Sequence, residues 1–284
     1  MGRMVHGTSA MVRAVVGAAH IGPSIVVTAV TVVLALLSGL DPLRVFAVAL
    51  MMALNQLSIG WSNDAIDAER DSDAHRIDKP LARGDITSRT VLTLAISAAV
   101  VSVLISLTLG PALAIVHLIA LAGGWAYNLG LKRTIAATAC YMVSFGLLPV
   151  IVTTAREDAA LAPWWAIAMG SLLGLAAHFT NVLPDLDADR RHGIRSLPHL
   201  LGARLAGAFA LTALAAAGAL GVLAPREISL LAIVGASASA VLLIAGAVVL
   251  VRAPQSRALF RVIMLSALAA VVTLAGSAGS FVVT

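Results

Sequence analysis

The chain has 284 residues, of which 60% are apolar and 12% are charged, and its mean hydropathy is +0.98. A soluble domain of this size cannot bury so much apolar surface, so the composition excludes a disordered protein, an ordinary soluble domain and a disulfide-rich secreted domain. The single cysteine, Cys140, excludes an intramolecular disulfide and a thiolate metal site. The composition therefore predicts an all-α polytopic membrane protein.

Apolar stretches of about 20 residues, the length that a helix needs to cross a bilayer, recur along the whole chain. Turn-forming residues such as Gly110-Pro111 and Ala224-Pro225 separate them. We interpret the first stretch as a retained anchor, because its apolar run is longer than that of a signal peptide. The nine predicted transmembrane helices are Val15–Leu37, Leu43–Trp61, Thr90–Leu109, Ala112–Gly130, Ile135–Ala155, Ala162–Thr180, Leu205–Leu223, Ile228–Val251 and Ala258–Val283.

The basic residues predict the orientation of these helices. With nine spans, the N-terminus lies on the same side as the loops after the even-numbered spans. All 19 lysines and arginines lie on that side or at its flanks, except Arg44, Arg156 and Arg226. The positive-inside rule then places the N-terminus in the cytoplasm. The net charge of +5 is thus explained by topology. No nucleic-acid partner is expected, and no protein partner is evident.

The acidic residues cluster in two segments, after the second and the sixth predicted spans. Of 14 carboxylates, ten lie there: Asp64, Asp67, Glu69, Asp71, Asp73, Asp78, Asp85, Asp185, Asp187 and Asp189. Both segments are expected to be cytoplasmic. Because four spans separate the two segments, we predict two pseudo-repeated four-helix halves, about residues 14–134 and 135–251, followed by a ninth helix. Together they form a single predicted domain of residues 1–284. Duplicated halves often build one site at their interface.

The spacing within these segments favours a divalent cation. If the second span stays helical past its predicted end, Asp64, Asp67 and Asp71 share one face, and their charges repel each other unless a cation lies among them. Asp185 and Asp189 are also one turn apart. Oxygen ligands alone indicate a hard ion, Mg²⁺ before Ca²⁺ or Zn²⁺, with substrate phosphate oxygens completing its shell. The alternative is a pair of solvated loops whose acids offset neighbouring arginines.

Basic residues near the acidic segments are of the type that would neutralise a departing diphosphate. Lys79 follows the first segment, Lys132 follows the fourth span, and Arg195 follows the second segment. Positive-inside topology explains the same three residues equally well. The histidines within or near the spans, His20, His117 and His178, are interpreted as packing residues with hydrogen-bonded partners, and His178, one turn before Asn181, is the best functional candidate among them.

Four motifs together resemble a known family: Asn63-Asp64-x-x-Asp67-x-x-x-Asp71, Lys79-Pro80-Leu81-x-x-Gly84, Tyr127 with Lys132, and Asn181-x-x-Pro184-Asp185-x-x-x-Asp189. They are similar to those of the UbiA superfamily of intramembrane prenyltransferases, and the resemblance extends over the whole chain. Two features depart from the family pattern. Lys79 stands where the family often has arginine, and the first acidic motif is closer to the hydroxybenzoate branch while the second is closer to the naphthoate branch.

The resemblance implies a role for each motif residue. The predicted catalytic and Mg²⁺-binding residues are Asp64, Asp67, Asp71, Asp185 and Asp189. The residues predicted to bind the diphosphate are Asn63, Lys79, Tyr127, Lys132, Asn181 and Arg195.

The reaction implied is the Mg²⁺-dependent transfer of an isoprenyl group from a prenyl diphosphate to an aromatic or quinone-precursor acceptor within the bilayer. Two other reactions of the superfamily remain open, namely cyclisation of the prenyl diphosphate without an acceptor and phosphoribosyl transfer to a polyprenyl phosphate. A divalent-cation transporter is a third alternative from a different class. It would carry carboxylates at mid-membrane, whereas the middle of every predicted span lacks Asp and Glu, which argues against it.

Overall fold

The computed structural model describes residues 8–73, 76, 79–186, 189 and 193–281, and these residues contain helices and turns but no strand. Short 3₁₀ turns follow three of the helices, at Leu131–Arg133, Leu183–Asp185 and Ala278–Ser280. Numbered here in chain order, the helices are α1 (Thr8–Gly17), α2 (Ile21–Leu37), α3 (Pro42–Asp73), α4 (Ser88–Leu109), α5 (Pro111–Leu129), α6 (Ala136–Thr154), α7 (Trp164–Val182), α8 (Leu197–Leu223), α9 (Leu230–Arg252) and α10 (Arg257–Gly276).

The lengths and hydropathies of these helices confirm a polytopic membrane protein. Each of α3 to α10 is long and apolar enough to cross a bilayer, and α1 with α2 passes the same test as a bent pair. Within the described ranges, this gives eight candidate spans, or nine when the bent pair is taken as one. The order of the helices matches two groups of four plus one, and the pseudo-repeat of residues 14–134 and 135–251 stays a prediction.

The first span differs from the straight helix predicted over Val15–Leu37. α1 and α2 meet at an angle of 68°, and His20 between them has a left-handed backbone with φ of 48°. The break packs tightly against α3, since a Cβ at Gly60 would collide with the carbonyl of Ala19. The length of the apolar run over residues 15–37 predicted one straight span. The helix breakers Gly22 and Pro23 in the first turn of α2 are the local signal for the bend.

Two other helix boundaries matter for the site. α3 continues to Asp73, past the predicted end at Trp61, so the part of the first acidic segment from Asp64 to Asp73 is helical. α8 begins at Leu197, ahead of the predicted start at Leu205, because Pro198 in its first turn and a left-handed Gly202 (φ 77°) allow an extra bent turn.

The helices form a closed bundle around a core of mostly aliphatic side chains. Chain neighbours pack together throughout, and α2 also contacts α6 and α10, which closes the ring. The contact of α6 with α7 is especially close, because Gly170 and Gly174 lie against the carbonyls of Phe145 and Tyr141. A glycine pair with this spacing is typical of tightly packed transmembrane helices, where the missing side chains let the backbones approach.

Opposite ends of the bundle are built differently. At one end, Arg44 donates to the carbonyl of Ala155 at 2.7 Å and Arg156 donates to that of Ser38 at 2.9 Å, joining two loops. The other end receives the C-terminal ends of α3, α5 and α7 and the start of α8. The two acidic segments therefore reach the same end of the bundle. Their cytoplasmic orientation stays a prediction.

Candidate active site

Asp64 lies at the centre of a charged cluster on α3. Its side chain is 2% exposed, and its Oδ1 atom lies 2.6 Å from Lys79 Nζ and 2.7 Å from His20 Nε2. The left-handed backbone at His20 directs this imidazole from the break between α1 and α2 toward α3. The second carboxylate oxygen, Oδ2, is buried and has no hydrogen-bond partner among the residues that the structure describes. Asp64 thus keeps a spare anionic acceptor in a dry environment, where an unpaired polar atom is unfavourable.

Asp67, one turn further along α3, has a different set of cations. Both of its oxygens accept from Lys132 Nζ, at 2.6 and 2.7 Å, and Arg70 donates to it at 2.9 Å. Lys132 lies in the 3₁₀ turn after α5. Burial lowers the pKa of Lys132, and the hydrogen bond and charge of Asp67 oppose that shift. Asp71 is also buried, and its Oδ1 lies 3.8 Å from the Arg70 guanidinium.

Asn63 is oriented by a chain of amide hydrogen bonds. It donates to Asn128 Oδ1 at 3.0 Å, and the Asn128 amide donates to the Ile59 carbonyl at 2.9 Å and to Ser62 Oγ at 2.8 Å. Because Asn128 is buried on α5, this network fixes the C-terminal part of α3 against α5, with Asn63 at its edge.

Aromatic rings lie beside these polar groups. Tyr127 of α5 packs edge-to-face on Tyr141 of α6, with 5.4 Å between ring centroids, and Tyr141 stacks on Phe145 at 6.2 Å. Asn181 donates to the Tyr141 hydroxyl at 3.4 Å, and His178 lies 5.0 Å from the same ring. Asn181 is therefore tied to the aromatic cluster.

The second acidic segment approaches from α7 and α8. Asp189 Oδ2 lies 3.2 Å from His199 Nε2, and the Asp189 carbonyl accepts from the backbone of Ile194 at 3.1 Å. Arg195 donates its backbone N–H to the Arg133 carbonyl at 3.2 Å, while its side chain is exposed. Asp185 ends the 3₁₀ turn Leu183–Asp185, and its side chain lies outside the described part of the chain.

A cavity of about 130 Å³ brings the two segments together. Of the predicted site residues, it is lined by Asn63, Asp67, Tyr127, Lys132 and Asp189. Asp64, Asp71, Lys79, Asn181 and Arg195 are not part of its lining. Residues outside the predicted site complete the wall, namely Arg70, His178, Val182, Ile194, Ser196 and His199. Of these, only His178 was singled out from the sequence, as the best functional candidate among the histidines of the spans.

The histidines have different environments from one another. His117 is a packing histidine bonded to Asn55 at 3.0 Å, as predicted. His20 is 40% exposed and bonded to Asp64, and His178 is 1% exposed with no partner for either ring nitrogen in the described structure, so neither matches the expected packing role. His199, three residues after Ser196, belongs to none of the motifs identified in the sequence.

The oxygen ligands at this end of the bundle fit a magnesium ion held together with a phosphate group. No group of three or more His, Cys, Asp or Glu side chains in the described residues forms a metal centre by itself. Magnesium, however, usually takes one or two protein carboxylates and completes its shell with water and phosphate oxygens. The unpartnered Oδ2 of buried Asp64, and the convergence of Asp67 and Asp189 on one cavity, meet that requirement.

The fold and the site define a polytopic helical membrane protein with a charged, partly enclosed cavity at one end of its bundle. The model of the UbiA prenyltransferase family matches residues 24–279, and the chain belongs to this family. This match confirms the resemblance inferred from the four motifs, and prenyltransfer is the enzyme class of the family.

Several known proteins are similar to this chain. The bacteriochlorophyll synthase 33 kDa chain of Cereibacter sphaeroides is 28% identical over 180 residues, which is 61% of this chain and 58% of that protein's length. An apo UbiA homolog from Aeropyrum pernix K1 has a TM-score of 0.74 at 21% identity, covering 90% of this chain and 97% of its own. A UbiA homolog from Archaeoglobus fulgidus bound to GPP and Mg²⁺ has a TM-score of 0.64 at 14% identity, covering 95% and 99%. These structural likenesses confirm the fold.

Proposed function

We propose that this protein transfers an isoprenyl group from a prenyl diphosphate to an aromatic or quinone-precursor acceptor at the membrane, with Mg²⁺ on the diphosphate. The observation that carries the proposal is the shared cavity, in which Asp67 and Lys132 from one half of the chain face the same space as Asp189 from the other. Carboxylates and a lysine around one small cavity suit a metal–diphosphate group better than an uncharged ligand.

The size of the cavity supports a division of the substrate between two environments. About 130 Å³ is well below the roughly 300–1,000 Å³ of a pocket that encloses a whole drug-sized ligand. The charged head group of the donor therefore occupies the cavity, and its isoprenyl tail lies along the apolar helices toward lipid. The Archaeoglobus fulgidus homolog, which has the same fold, binds GPP with Mg²⁺.

Side chains in and beside the cavity have different roles in the reaction. The bond between the isoprenyl C1 atom and the diphosphate oxygen breaks, its electron pair leaves with the diphosphate, and the cations Lys132 and Arg70 balance the charge that develops there. When bound, Mg²⁺ would supply Lewis-acid stabilisation of the same leaving group, held by Asp64, Asp67, Asp71, Asp185 and Asp189. Asn63, positioned by Asn128, would orient the diphosphate. Lys79 would balance the charge of Asp64, beside the cavity.

The aromatic cluster supports the second half of the reaction. Tyr127, Tyr141 and Phe145 offer π faces or edges next to the charged cavity, and such faces stabilise a carbocation while favouring a planar acceptor. A nucleophilic acceptor carbon then forms the new bond to C1, and its ring proton is lost to water. The exposed Arg195 and the more distant Asn181 would act in supporting positions, through Arg133 and Tyr141 respectively.

The proposal is tested with purified protein in detergent, Mg²⁺ and prenyl diphosphates of graded length, each with and without aromatic acid acceptors. Released diphosphate and the prenylated product are quantified together. We expect product formation that requires both Mg²⁺ and an acceptor, and that is lost in Asp189→Asn. Asp85→Asn is the matched control, because Asp85 is paired with Arg83 and lies outside this cavity.

The outcomes separate the alternatives. Release of diphosphate that needs no acceptor and yields a cyclic hydrocarbon would replace the transferase with a cyclase. Because one relative is named as a bacteriochlorophyll synthase chain, a bacteriochlorophyll precursor is included among the acceptors. Turnover of a prenyl phosphate with a phosphoribosyl donor, and none with prenyl diphosphates, would reject the proposal.

A further inference from the structure

A second set of hydrogen bonds, outside the predicted motifs, lies behind Asp189. Ser196 Oγ lies 2.7 Å from His199 Nδ1, and His199 Nε2 lies 3.2 Å from Asp189 Oδ2. Ser196 is fully buried and His199 is 4% exposed, while the Asp189 side chain is 31% exposed. The three residues thus run from the protein interior to the cavity, and all three line it.

The geometry determines the direction of these hydrogen bonds. A carboxylate accepts only, so the imidazole nitrogen facing Asp189 must carry a proton. In the neutral ring, Nδ1 is then an acceptor, and the Ser196 hydroxyl donates a hydrogen bond to it. This is the arrangement in which a hydroxyl selects one tautomer of a histidine, and the histidine in turn holds a carboxylate in one orientation.

Ser196 bonds through its side chain to His199 instead of capping the first turn of α8. It is the N-cap residue of α8, where a serine side chain normally accepts a hydrogen bond from a backbone N–H in the first helical turn. Here the Ser196 side chain makes no cap hydrogen bond, and its hydroxyl meets the ring of His199, the third residue of that turn. A serine kept at this position only to stabilise the helix would bond to the backbone.

The residues just before α8 also connect the two acidic parts of the site, around Asp67 and around Asp189. The backbone of Arg195 bonds to Arg133, next to the Lys132 that binds Asp67, and the backbone of Ile194 bonds to Asp189. The start of α8 therefore contacts the turn that places Lys132 and the segment that places Asp189.

We infer that His199, held by Ser196, is a positioning residue that orients the Asp189 carboxylate for the metal–diphosphate group. The inference rests on the proposed function, and it assigns a role to two residues outside the acidic motifs. His199 lines the same cavity, and it acts on the metal–diphosphate group through its hydrogen bond to Asp189. Partners of this kind typically change metal affinity by roughly 10- to 100-fold when removed.

The test uses purified protein in detergent. The binding of geranyl diphosphate is measured by calorimetry at a series of Mg²⁺ concentrations. We expect His199→Leu to raise the half-saturating Mg²⁺ concentration by roughly 10- to 100-fold. His199→Gln should restore most of the affinity, because its amide can donate at about the position of Nε2. Ser196→Ala should also weaken binding, because His199 Nδ1 loses the hydroxyl that holds the ring in one tautomer.

A double-mutant cycle distinguishes positioning from a general structural role. If His199 acts through Asp189, then adding His199→Leu to Asp189→Asn should weaken binding no further than about twofold. His117→Gln, at a buried histidine bonded to Asn55 and outside the cavity, is the matched control and should bind like the unchanged protein.

Three results would overturn the inference. Unchanged Mg²⁺ dependence in His199→Leu would exclude a positioning role. Losses that multiply in the double variant, or equal losses in His199→Leu and His199→Gln, would indicate packing instead. Absence of Mg²⁺-dependent binding of geranyl diphosphate and its longer homologues to the unchanged protein would reject the proposed function, and with it this inference.

Discussion

Replacing Asp67 by asparagine tests the charged cavity most directly. The change keeps the size of the side chain but removes the charge that both Lys132 and Arg70 contact. Lys132 Nζ lies 2.6 Å from Asp67 Oδ2, and at an effective dielectric constant of about 20 this separation corresponds to roughly 6 kcal/mol of attraction, before the desolvation of both groups is subtracted. Removing one partner of such a buried pair typically destabilises the fold by about 3–5 kcal/mol.

The expected loss of activity is separate from this loss of stability. A missing electrostatic contact in a preorganised site lowers turnover by roughly 10²- to 10³-fold. Since Asp67→Asn leaves Lys132 buried without its carboxylate, the double variant Asp67→Asn/Lys132→Met removes both charges. We expect the double variant to recover much of the unfolding temperature but none of the turnover.

The assays are thermal unfolding in detergent and the release of diphosphate at several Mg²⁺ concentrations. Asp85→Asn provides the control, because its partly exposed pair with Arg83 is worth about 1 kcal/mol or less. Equal turnover in Asp67→Asn and Asp85→Asn would refute the assignment of this cavity as the active site. Recovery of turnover in the double variant would show that Asp67 only neutralises Lys132.

Two further predictions concern topology and packing. Ser72→Cys and Asp158→Cys, each in a Cys140→Ser background, should react with an impermeant thiol reagent from opposite sides of the membrane, and labelling from one side would contradict the order of spans. Gly174→Ala should destabilise the fold by about 1–3 kcal/mol in thermal unfolding, because the added methyl group meets the carbonyl of Tyr141 on α6. Gly218→Ala, which has open space around its Cα atom, should be neutral or stabilising, and equal effects of the two would contradict the close helix contact.

The sequence alone was sufficient for features that depend on local spacing and on transfer to lipid. Runs of apolar residues identified the spans, because each span is selected by its own length and hydropathy. Asp64, Asp67 and Asp71 could be placed on one helix face because the helical repeat is the same in every context. The motifs also identified the family, which the match to residues 24–279 confirms.

Contacts between distant parts of the chain were decided only by the tertiary structure. Lys79 pairs with Asp64, and Lys132 pairs with Asp67. From the sequence, the positive-inside rule explained both lysines equally well, and only the packing of α3 against its neighbours showed that they contact these carboxylates. Ala19, at the bend, packs closely against Gly60, and the contact of His199 with Asp189 depends on where α8 begins. Such contacts form when whole helices pack against each other. Their energies depend on pairs of side chains that are far apart in the sequence, so the residue pattern along one helix does not predict them.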